Sequence, residues 1–582
     1  MPAHLLQFVE QRENEQFLCE QLCEQIDACP AGKGTIKNKL KNYLIEQKVW
    51  DISELDIGLR ERYEQYLKKY EKTYPIASCL RAFDRVKLHT MHEEQHTLAG
   101  RRKYTTEYAD QRLFLKYYPD LEIAETFLAS TDDQLLLWDF TRKCPREIKE
   151  QIFCILKELL VLDNRYERKE KLLALHYLYA YCIETRIYDL QRMTLKEENG
   201  FYEFIVNKLP DKKRVRTFGI INLSRKILFL QATEINWKAN VWYLERFHFS
   251  EDRINPSKPV ESLSFKEVTV TENQNILQKY IRYLLGITDF SISTIRTKFL
   301  ELRNFLLNFE TAGVPIYEVE ADTIHSYLKL MQEKDIQEKT FNGRIFMLLQ
   351  FYNFLLVKGY ITEIPFRYEY YLQKVIPTHH DRCVEDKIYE EILSKLANFP
   401  EHLRLMFLHL WCVGLRCSEV CTLEGGNYEE KNGDYWLKVY QVKMKTYKRI
   451  PIPEALYKLV QVYIKKYKIP SDEYLFKNRK GGAFRYATFC SQMMRYCREN
   501  QIANGEYIFK SHDYRHNLAT LYYDTGTSIQ AVRDYLGHEY EEMTRQYIDY
   551  MPRKLEKASD EYFKDEAHSF AAELMKGDSD GG

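Results

Sequence analysis

Four residues near the end of the chain have types and a spacing that suit chemistry on a phosphate ester. His512 and Arg515 stand three positions apart in Ser-His-Asp-Tyr-Arg-His. His538 ends the motif Leu-Gly-His, and Tyr547 follows nine positions later. An imidazole can move protons, an arginine can donate two hydrogen bonds to phosphate oxygens, and a phenol can attack phosphorus to form a phosphotyrosine ester. These residue types therefore suit phosphoryl transfer from a phosphate ester to a phenol.

Two cations further upstream extend this set. Arg416 lies two residues after Gly414, the predicted cap of an apolar helix, and Lys443 ends a stretch rich in β-forming residues. Each preorganised donor to a phosphate is worth on the order of a hundredfold to a thousandfold in rate. We therefore expect the site to need no metal and no cofactor. Lys443 is the predicted general acid, and Lys445 stays an alternative because positions two apart on a strand share a face.

Only the nine-residue spacing from His538, a feature of the tyrosine recombinase signature that these motifs resemble, singles out Tyr547 as the nucleophile. The chain has 45 tyrosines, and Tyr550 lies only three residues further on. A His-x-x-Arg pair on a helix is also common in purely structural roles. We expect His512 to take the proton of Tyr547 or to brace the phosphate, and His538 to hydrogen-bond the phosphate in the transition state. The prediction depends on the whole set and not on one member.

These motifs together resemble the C-terminal signature of the tyrosine recombinases, also called the phage integrase family. That signature is H-x-x-R, then L-G-H, then a tyrosine nine residues after the histidine. The Gly-Leu-Arg-Cys-Ser-Glu segment resembles the family's first arginine box, and the strand pair ending at Pro451 resembles its lysine-bearing hairpin. The resemblance covers roughly residues 270 to 560. It implies that one active site contains Arg416, Lys443, His512, Arg515, His538 and Tyr547.

The resemblance also implies a fold, an activity and partners. The implied fold is mainly α with a small antiparallel β-sheet, in which a helical core-DNA-binding domain precedes an α+β catalytic domain. Such an enzyme cleaves and rejoins double-stranded DNA through a covalent 3′-phosphotyrosine, and a homotetramer exchanges strands through a Holliday junction. Other proteins of the same mobile element are candidate partners. Glu419 resembles the family's acidic residue after the first arginine and is expected to orient Arg416 or to cap its helix.

The long N-terminal half resembles the additions of larger, transposon-encoded members of the family. A transposase or integrase of a mobile element is therefore the favoured function. Two alternatives stay open. A type IB topoisomerase uses nearly the same residues to relax DNA, and a non-catalytic accessory protein would bind DNA without cleaving it.

Length and composition limit the class of protein. A chain of 582 residues exceeds a single core, and 45% hydrophobic with 29% charged residues is typical of ordinary globular proteins. Lys plus Arg and Asp plus Glu both total 85, so any DNA-binding surface must be local. The 13 cysteines show no paired metal spacing, and neither a secretory segment nor a membrane-spanning stretch is seen. We expect a cytoplasmic, nucleoid-associated protein with no membrane partner.

Composition predicts four segments along the chain. Residues 1–255 are predicted to be a helical region that binds DNA or a partner, and a proline-containing boundary follows. Residues 265–376 are the predicted helical core-DNA-binding domain, 384–565 the predicted catalytic domain, and 566–582 a flexible tail. Within the catalytic domain, Asn432-Gly433 is a hairpin signal between residues that favour strands.

Several polar and basic residues are candidates for contacts with DNA. Hydroxyl and basic residues open two of the predicted helices, at Ser293 and at Thr340, where helix N-termini could meet phosphates. The basic loop that starts at Phe476 could follow a phosphate backbone, as could the run that starts at Lys212. Solvated caps, faces and loops explain these features as well. The candidate DNA-contacting residues are Arg296, Lys298, Asn342, Arg344, Lys477 and Arg479.

Overall fold

The computed structural model describes residues 3–30, 32–104, 111–375 and 384–539, together with Thr544. The chain divides into two units between Arg246 and Phe247. The predicted boundary at residue 255 lies a few positions after this division, and the assignment of four domains stays a prediction. Within the described ranges, no helix combines the length and the apolar character needed to cross a membrane.

Helices form nearly all of the first unit, because apolar residues recur along its sequence at three- and four-residue steps. Ile148, Ile152 and Ile155, for example, are buried along one face of a single helix. Two short strands, β1 (Arg112–Phe114) and β2 (Leu137–Asp139), pair antiparallel, and β3 (Val241–Tyr243) lies near the end of the unit. The helices are α1 (Ala3–Ala28), α2 (Gly34–Glu46), α3 (Ile57–Tyr70), α4 (Ile76–Gln95), α5 (Leu98–Lys103), α6 (Leu121–Phe127), α7 (Asp133–Leu136), α8 (Arg146–Leu160), α9 (Arg165–Thr185), α10 (Leu195–Val206), α11 (Asp211–Phe218) and α12 (Ile220–Gln231).

A network of buried charges lies in this first unit. Arg60 Nε donates to Asp84 Oδ1 at 2.6 Å, and Arg60 Nη2 donates to Asp133 Oδ2 at 2.8 Å. Lys116 Nζ lies 3.1 Å from Asp84 Oδ2 and 2.9 Å from Asp133 Oδ1. The Tyr117 hydroxyl also donates to Asp84. Two cations and two carboxylates therefore compensate one another, as the burial of charge requires.

Two helix pairs follow β4 (Ser262–Ser264) in the second unit, within the range predicted to be helical. The Ser291 side chain accepts a hydrogen bond from the Thr294 backbone N–H and so caps the second helix. Aromatic rings such as Phe305 and Tyr352 pack between the pairs. The four helices are α13 (Thr271–Ile287), α14 (Ile292–Leu307), α15 (Ala321–Gln332) and α16 (Glu338–Val357).

The remaining part of the second unit contains the predicted sheet. Strands β5 (Tyr428–Lys431), β6 (Asp434–Gln441) and β7 (Thr446–Pro451) pair antiparallel in that order. Asn432 and Gly433 have φ values of 57° and 85°, which a two-residue hairpin turn needs. The mainly helical class with a small antiparallel sheet is therefore confirmed. The helices are α17 (Asp386–Lys395), α18 (Glu401–Val413), α19 (Cys417–Cys421), α20 (Glu454–Tyr467), α21 (Tyr486–Glu499), α22 (Asp513–Asp524) and α23 (Ile529–Leu536).

Two glycines let α18 approach α22 and α23 approach β6 closely. Gly414 ends α18 with a φ of 64°, and a Cβ at this position would lie 2.8 Å from a side-chain carbon of α22. Gly537 ends α23 with a φ of 70°, and a Cβ there would overlap the Gln441 amide on β6. Both positions require glycine, for conformation as well as for space. Arg416 and His538, which follow these glycines closely, are thereby brought to the same part of the unit.

Candidate active site

Arg515 lies at the centre of the site and is fully buried. Its Nη1 donates to the Gly414 carbonyl at 2.8 Å, and its Nη2 donates to the Leu536 carbonyl at 2.6 Å. These two carbonyls belong to the C-terminal ends of α18 and α23, where the last carbonyl groups lack partners within the helix. Arg515 itself lies on α22. The guanidinium plane is thus fixed by the ends of two other helices.

His538 is bound to Arg515 in a defined tautomer. Its Nε2 lies 2.9 Å from Arg515 Nη2 and its Nδ1 lies 3.0 Å from Thr544 Oγ1. Because arginine can only donate, Nε2 must accept, and the neutral ring carries its hydrogen on Nδ1 and donates it to Thr544. Burial and the nearby Arg515 lower the pKa of His538 to about 2. His538 is therefore a neutral ring that links Arg515 to a residue three positions before Tyr547.

Arg416 is held by Glu419 through its backbone and its side chain. Glu419 Oε2 accepts from the Arg416 backbone N–H at 2.9 Å, and Oε1 accepts from Arg416 Nη1 at 2.8 Å. Arg416 is the residue before α19, so Glu419 both caps this short helix and orients the guanidinium. Burial alone would raise the pKa of Glu419, but Lys448, Arg515 and Arg416 lower it below its ordinary value. The carboxylate is therefore ionised.

Lys448 is a member of the cluster that the sequence patterns did not identify. It is 9% exposed, and its Nζ lies 3.8 Å from Glu419 Oε2 and 3.4 Å from the carbonyl oxygens of Tyr535 and Leu536. Burial, with opposition from Glu419, lowers its pKa to about 7. The alternation of side chains along a strand could have identified it, since Lys448 lies two positions before the buried Ile450 and shares the inward face of β7 with it.

Lys443 and Lys445 lie in the turn between β6 and β7 and not on a strand, so the shared-face argument does not apply to them. Lys443 is exposed and makes no hydrogen bond or ion pair with the described residues. Lys445 has a φ of 54°, and its Nζ lies 3.0 Å from Asp252 Oδ2 and 3.3 Å from the Asp289 carbonyl oxygen. Lys443 stays the predicted general acid, although the structure does not bring it to the buried cluster.

His512 and Tyr547 complete the predicted set. His512 is exposed at the start of α22, and its ring lies 5.4 Å from the His516 ring in an edge-on arrangement. Tyr547 and the neighbouring Tyr550 lie outside the described residues, as do positions 545–582, which include the predicted tail. The structure therefore joins Arg515 and His538 directly, anchors Arg416 on Glu419 beside them, and leaves the place of the nucleophile as a prediction.

The charges of the cluster are unbalanced. Arg416, Arg515 and Lys448 surround a single ionised carboxylate, Glu419, and His538 is neutral. Two arginines that stay charged and a lysine whose pKa is about 7, beside one anion, make this cluster attractive to a negatively charged group such as a phosphate. The arrangement is suited to stabilising charge that develops on phosphate oxygens.

The candidate DNA-contacting residues of the helix pairs differ in environment. Arg296 is exposed on α14. Lys298 is 7% exposed, donates to Gln350 of α16, and has a pKa that burial lowers. The structure thus buries Lys298 between α14 and α16, where its amine makes a hydrogen bond from one helix to the other.

The other four candidates are mostly held by protein partners. The Asn342 amide donates to the Gln373 carbonyl at 2.8 Å and accepts from the Gln373 N–H at 2.9 Å. Arg344 Nε lies 3.1 Å from a carboxylate oxygen of Glu301. In the basic loop that follows α20, Lys477 and Arg479 are exposed, and Lys477 pairs with Glu473, four residues earlier.

The family model described as "Phage integrase family" matches residues 382–553 of this chain. The matched stretch contains the cluster just described and extends through Tyr547. The chain therefore carries a phage integrase family domain, and the resemblance of its motifs to the tyrosine recombinases is confirmed.

Known proteins with similar sequences include transposases and recombinases. Transposase B from transposon Tn554 of Staphylococcus aureus (strain Mu50 / ATCC 700699) is 27% identical over 392 residues, which are 65% of this chain and 61% of that protein. The chain thus spans about three fifths of the length of this relative. Tyrosine recombinase XerC of Halalkalibacterium halodurans is 24% identical over 295 residues, which are 47% of this chain and 93% of that protein.

Solved structures with some likeness include a site-specific recombinase and a transposon integrase, each in complex with DNA. The XerH site-specific recombinase bound to its difH substrate has a TM-score of 0.37 and 18% identity, covering 49% of this chain and 83% of that one. The Tn1549 transposon integrase in complex with circular intermediate DNA has a TM-score of 0.37 and 18% identity, covering 49% of this chain and 98% of that one.

Proposed function

We propose that the protein is a site-specific DNA recombinase, acting as the integrase or transposase of a mobile element. It cleaves and rejoins double-stranded DNA through a 3′-phosphotyrosine at Tyr547. The observation that carries this proposal is the cluster in which Arg515 contacts His538 and Glu419 anchors Arg416, within the residues that match the phage integrase family model. The transposase and XerC relatives favour recombination over simple relaxation of DNA.

The proposed chemistry is an exchange of ester bonds at one phosphorus atom. The Tyr547 oxygen forms a bond to phosphorus while the bond from phosphorus to the 5′ oxygen breaks. His512 takes the phenolic proton, and Lys443 gives a proton to the leaving 5′ oxygen. Arg416 and Arg515 stabilise the negative charge on the non-bridging oxygens. The phosphotyrosine keeps the energy of the broken bond, so rejoining is the same reaction in reverse.

The proposal includes the organisation around the site. Residues 265–376 and 384–565 would enclose the DNA duplex, with Arg296 and Arg479 as exposed contacts to phosphates, and residues 1–255 would bind flanking DNA or a partner. A homotetramer would hold two duplexes during strand exchange, in the cytoplasm at the nucleoid. Other proteins of the same mobile element are proposed as further partners.

A covalent-adduct assay tests the proposal. The full chain is incubated with a pool of nicked duplexes of randomised sequence, in which cleavage releases a short strand and traps the protein on DNA. Adducts are recovered under denaturing conditions, and the DNA is sequenced to give the preferred site. We expect adducts with the wild-type chain and with Tyr550→Phe, and none with Tyr547→Phe. Absence of any wild-type adduct, or an adduct that persists in Tyr547→Phe, overturns the assignment.

A plasmid relaxation assay separates recombination from the topoisomerase alternative. Rapid, sequence-independent relaxation by the protein as a monomer would favour a topoisomerase. Adducts confined to a preferred sequence, with exchange of strands between two duplexes, are expected for the proposed recombinase.

A further inference from the structure

We propose that Lys448 is a positioning residue for cleavage, whose ammonium holds the supports of both active-site arginines in place. This inference rests on the proposed recombinase function. The Lys448 ammonium contacts Glu419 and the Tyr535 and Leu536 carbonyl groups, and it acts on the arginines through these groups.

The first support is Glu419. This carboxylate holds Arg416 by two hydrogen bonds, one from the backbone and one from the guanidinium. Lys448 Nζ lies 3.8 Å from the carboxylate oxygen that accepts the backbone bond. A cation at this position keeps Glu419 ionised and draws it towards β7, which limits the positions that the Arg416 fork can take.

The second support is the end of α23. The Leu536 carbonyl accepts from Arg515 Nη2 at 2.6 Å and from Lys448 Nζ at 3.4 Å. The Tyr535 carbonyl accepts a further bond from the same ammonium. The C-terminal carbonyl groups of a helix attract cations, so Lys448 stabilises the end of α23. This segment supplies the carbonyl group that binds Arg515, and it positions His538 two residues later.

The location of Lys448 makes a packing role alone a poor explanation. Its neighbours on the inward face of the sheet include Ile450 on β7 and Val439, its partner on β6, which are both buried and apolar. A buried ammonium costs free energy that an apolar residue would avoid. Its contacts with Glu419 and with two helix-end carbonyls offset this cost at the site where the arginines are anchored.

Charge at Lys448 should therefore matter to the rate of cleavage. The charged or titratable groups that face it are Glu419 near the start of α19, Arg416 before α19, Arg515 on α22 and His538 after α23. Since its pKa lies at about 7, the ammonium is lost as the pH rises through neutrality. The expected consequence is a cleavage rate that falls over this pH range, with His538 neutral throughout.

The experiment measures single-turnover formation of the covalent adduct, together with DNA affinity, on the site recovered from the duplex pool. Lys448→Met is expected to lower the cleavage rate by about a hundredfold, because a small misplacement of a catalytic group has an effect of this order, while the affinity for DNA stays unchanged. Lys448→Arg keeps a cation at every pH and is expected to restore part of the rate and to remove the fall with rising pH. Arg449→Met is the matched control, because Arg449 is exposed on the opposite face of β7.

Two results would overturn the inference while leaving the proposed function intact. One is a Lys448→Met protein that cleaves at the wild-type rate. The other is a Lys448→Arg protein whose rate falls with pH as the wild-type rate does, and this arm still applies if Lys448→Met fails to fold. If the wild-type chain forms no adduct, the recombinase proposal fails and the role of Lys448 fails with it.

Discussion

The two units each bury a cluster of cations and carboxylates, and the clusters differ in their balance of charge. In the first unit, Arg60 and Lys116 face two carboxylates, Asp84 and Asp133. In the second unit, Arg416, Arg515 and the titratable Lys448 surround Glu419 alone. A balanced cluster has no net charge that would attract a ligand, whereas the excess positive charge of the unbalanced cluster attracts an anion. Burial of charge therefore does not by itself indicate an active site; the excess of one sign does.

The largest expected effect is at the centre of the unbalanced cluster. Arg515→Lys is expected to lower single-turnover cleavage about a thousandfold, because a lysine cannot hold both helix-end carbonyls and a phosphate with a planar fork. Arg60→Lys in the balanced cluster is the comparison variant and should leave the cleavage rate of the folded protein unchanged. Equal losses of rate in the two variants would mean that the comparison of the clusters is wrong.

The balanced cluster should respond in stability instead. Asp84→Ala leaves Arg60 and Lys116 with one carboxylate and is expected to destabilise the first unit by about 3 kcal/mol, the lower end of the loss seen when one partner of a buried pair is removed. Denaturant unfolding followed by limited proteolysis measures this effect. Glu61→Ala, which removes an exposed partner of Arg112, is the control and should change stability little. A stable Asp84→Ala protein would contradict the structural role.

A smaller effect is expected where His538 contacts Thr544. Thr544→Val removes the acceptor of the His538 Nδ1 hydrogen and is expected to lower cleavage about tenfold, the equivalent of one hydrogen bond. Thr544→Ser retains the hydroxyl and should cleave at nearly the wild-type rate. If valine and serine behave alike, the hydroxyl does not set the tautomer of His538.

The smallest effect concerns stability and pH. Because the pKa of Lys448 is lowered from 10.5 to about 7, the folded chain binds fewer protons than the unfolded chain between these values. This group therefore makes unfolding less favourable as the pH rises, by at most about 1.4 kcal/mol per pH unit. Lys448→Met lacks this contribution. The Tm of the wild type minus that of the variant should increase from about pH 7 to about pH 9, and a constant or falling difference would contradict the lowered pKa.

Much of the fold could be predicted because its signals are local. The helical pairs follow from apolar periodicity, the β5–β6 hairpin from Asn432-Gly433, and the end of α18 from Gly414. Each of these depends on conformational preferences within a few residues. Lys443 and Lys445 were harder to place, because the sequence does not reveal where β6 ends. Lys445 has a left-handed backbone conformation in the turn between β6 and β7.

By itself, the sequence determined the family, the order of the motifs and the residue types available for phosphate chemistry. Only the tertiary structure decided which side chains meet. Lys448 joins Glu419 and the Leu536 carbonyl because β7, α19 and α23 converge, and Lys298 is withdrawn from the surface because α14 packs on α16. Contacts between residues far apart in the chain depend on how elements pack, and no local pattern encodes that packing.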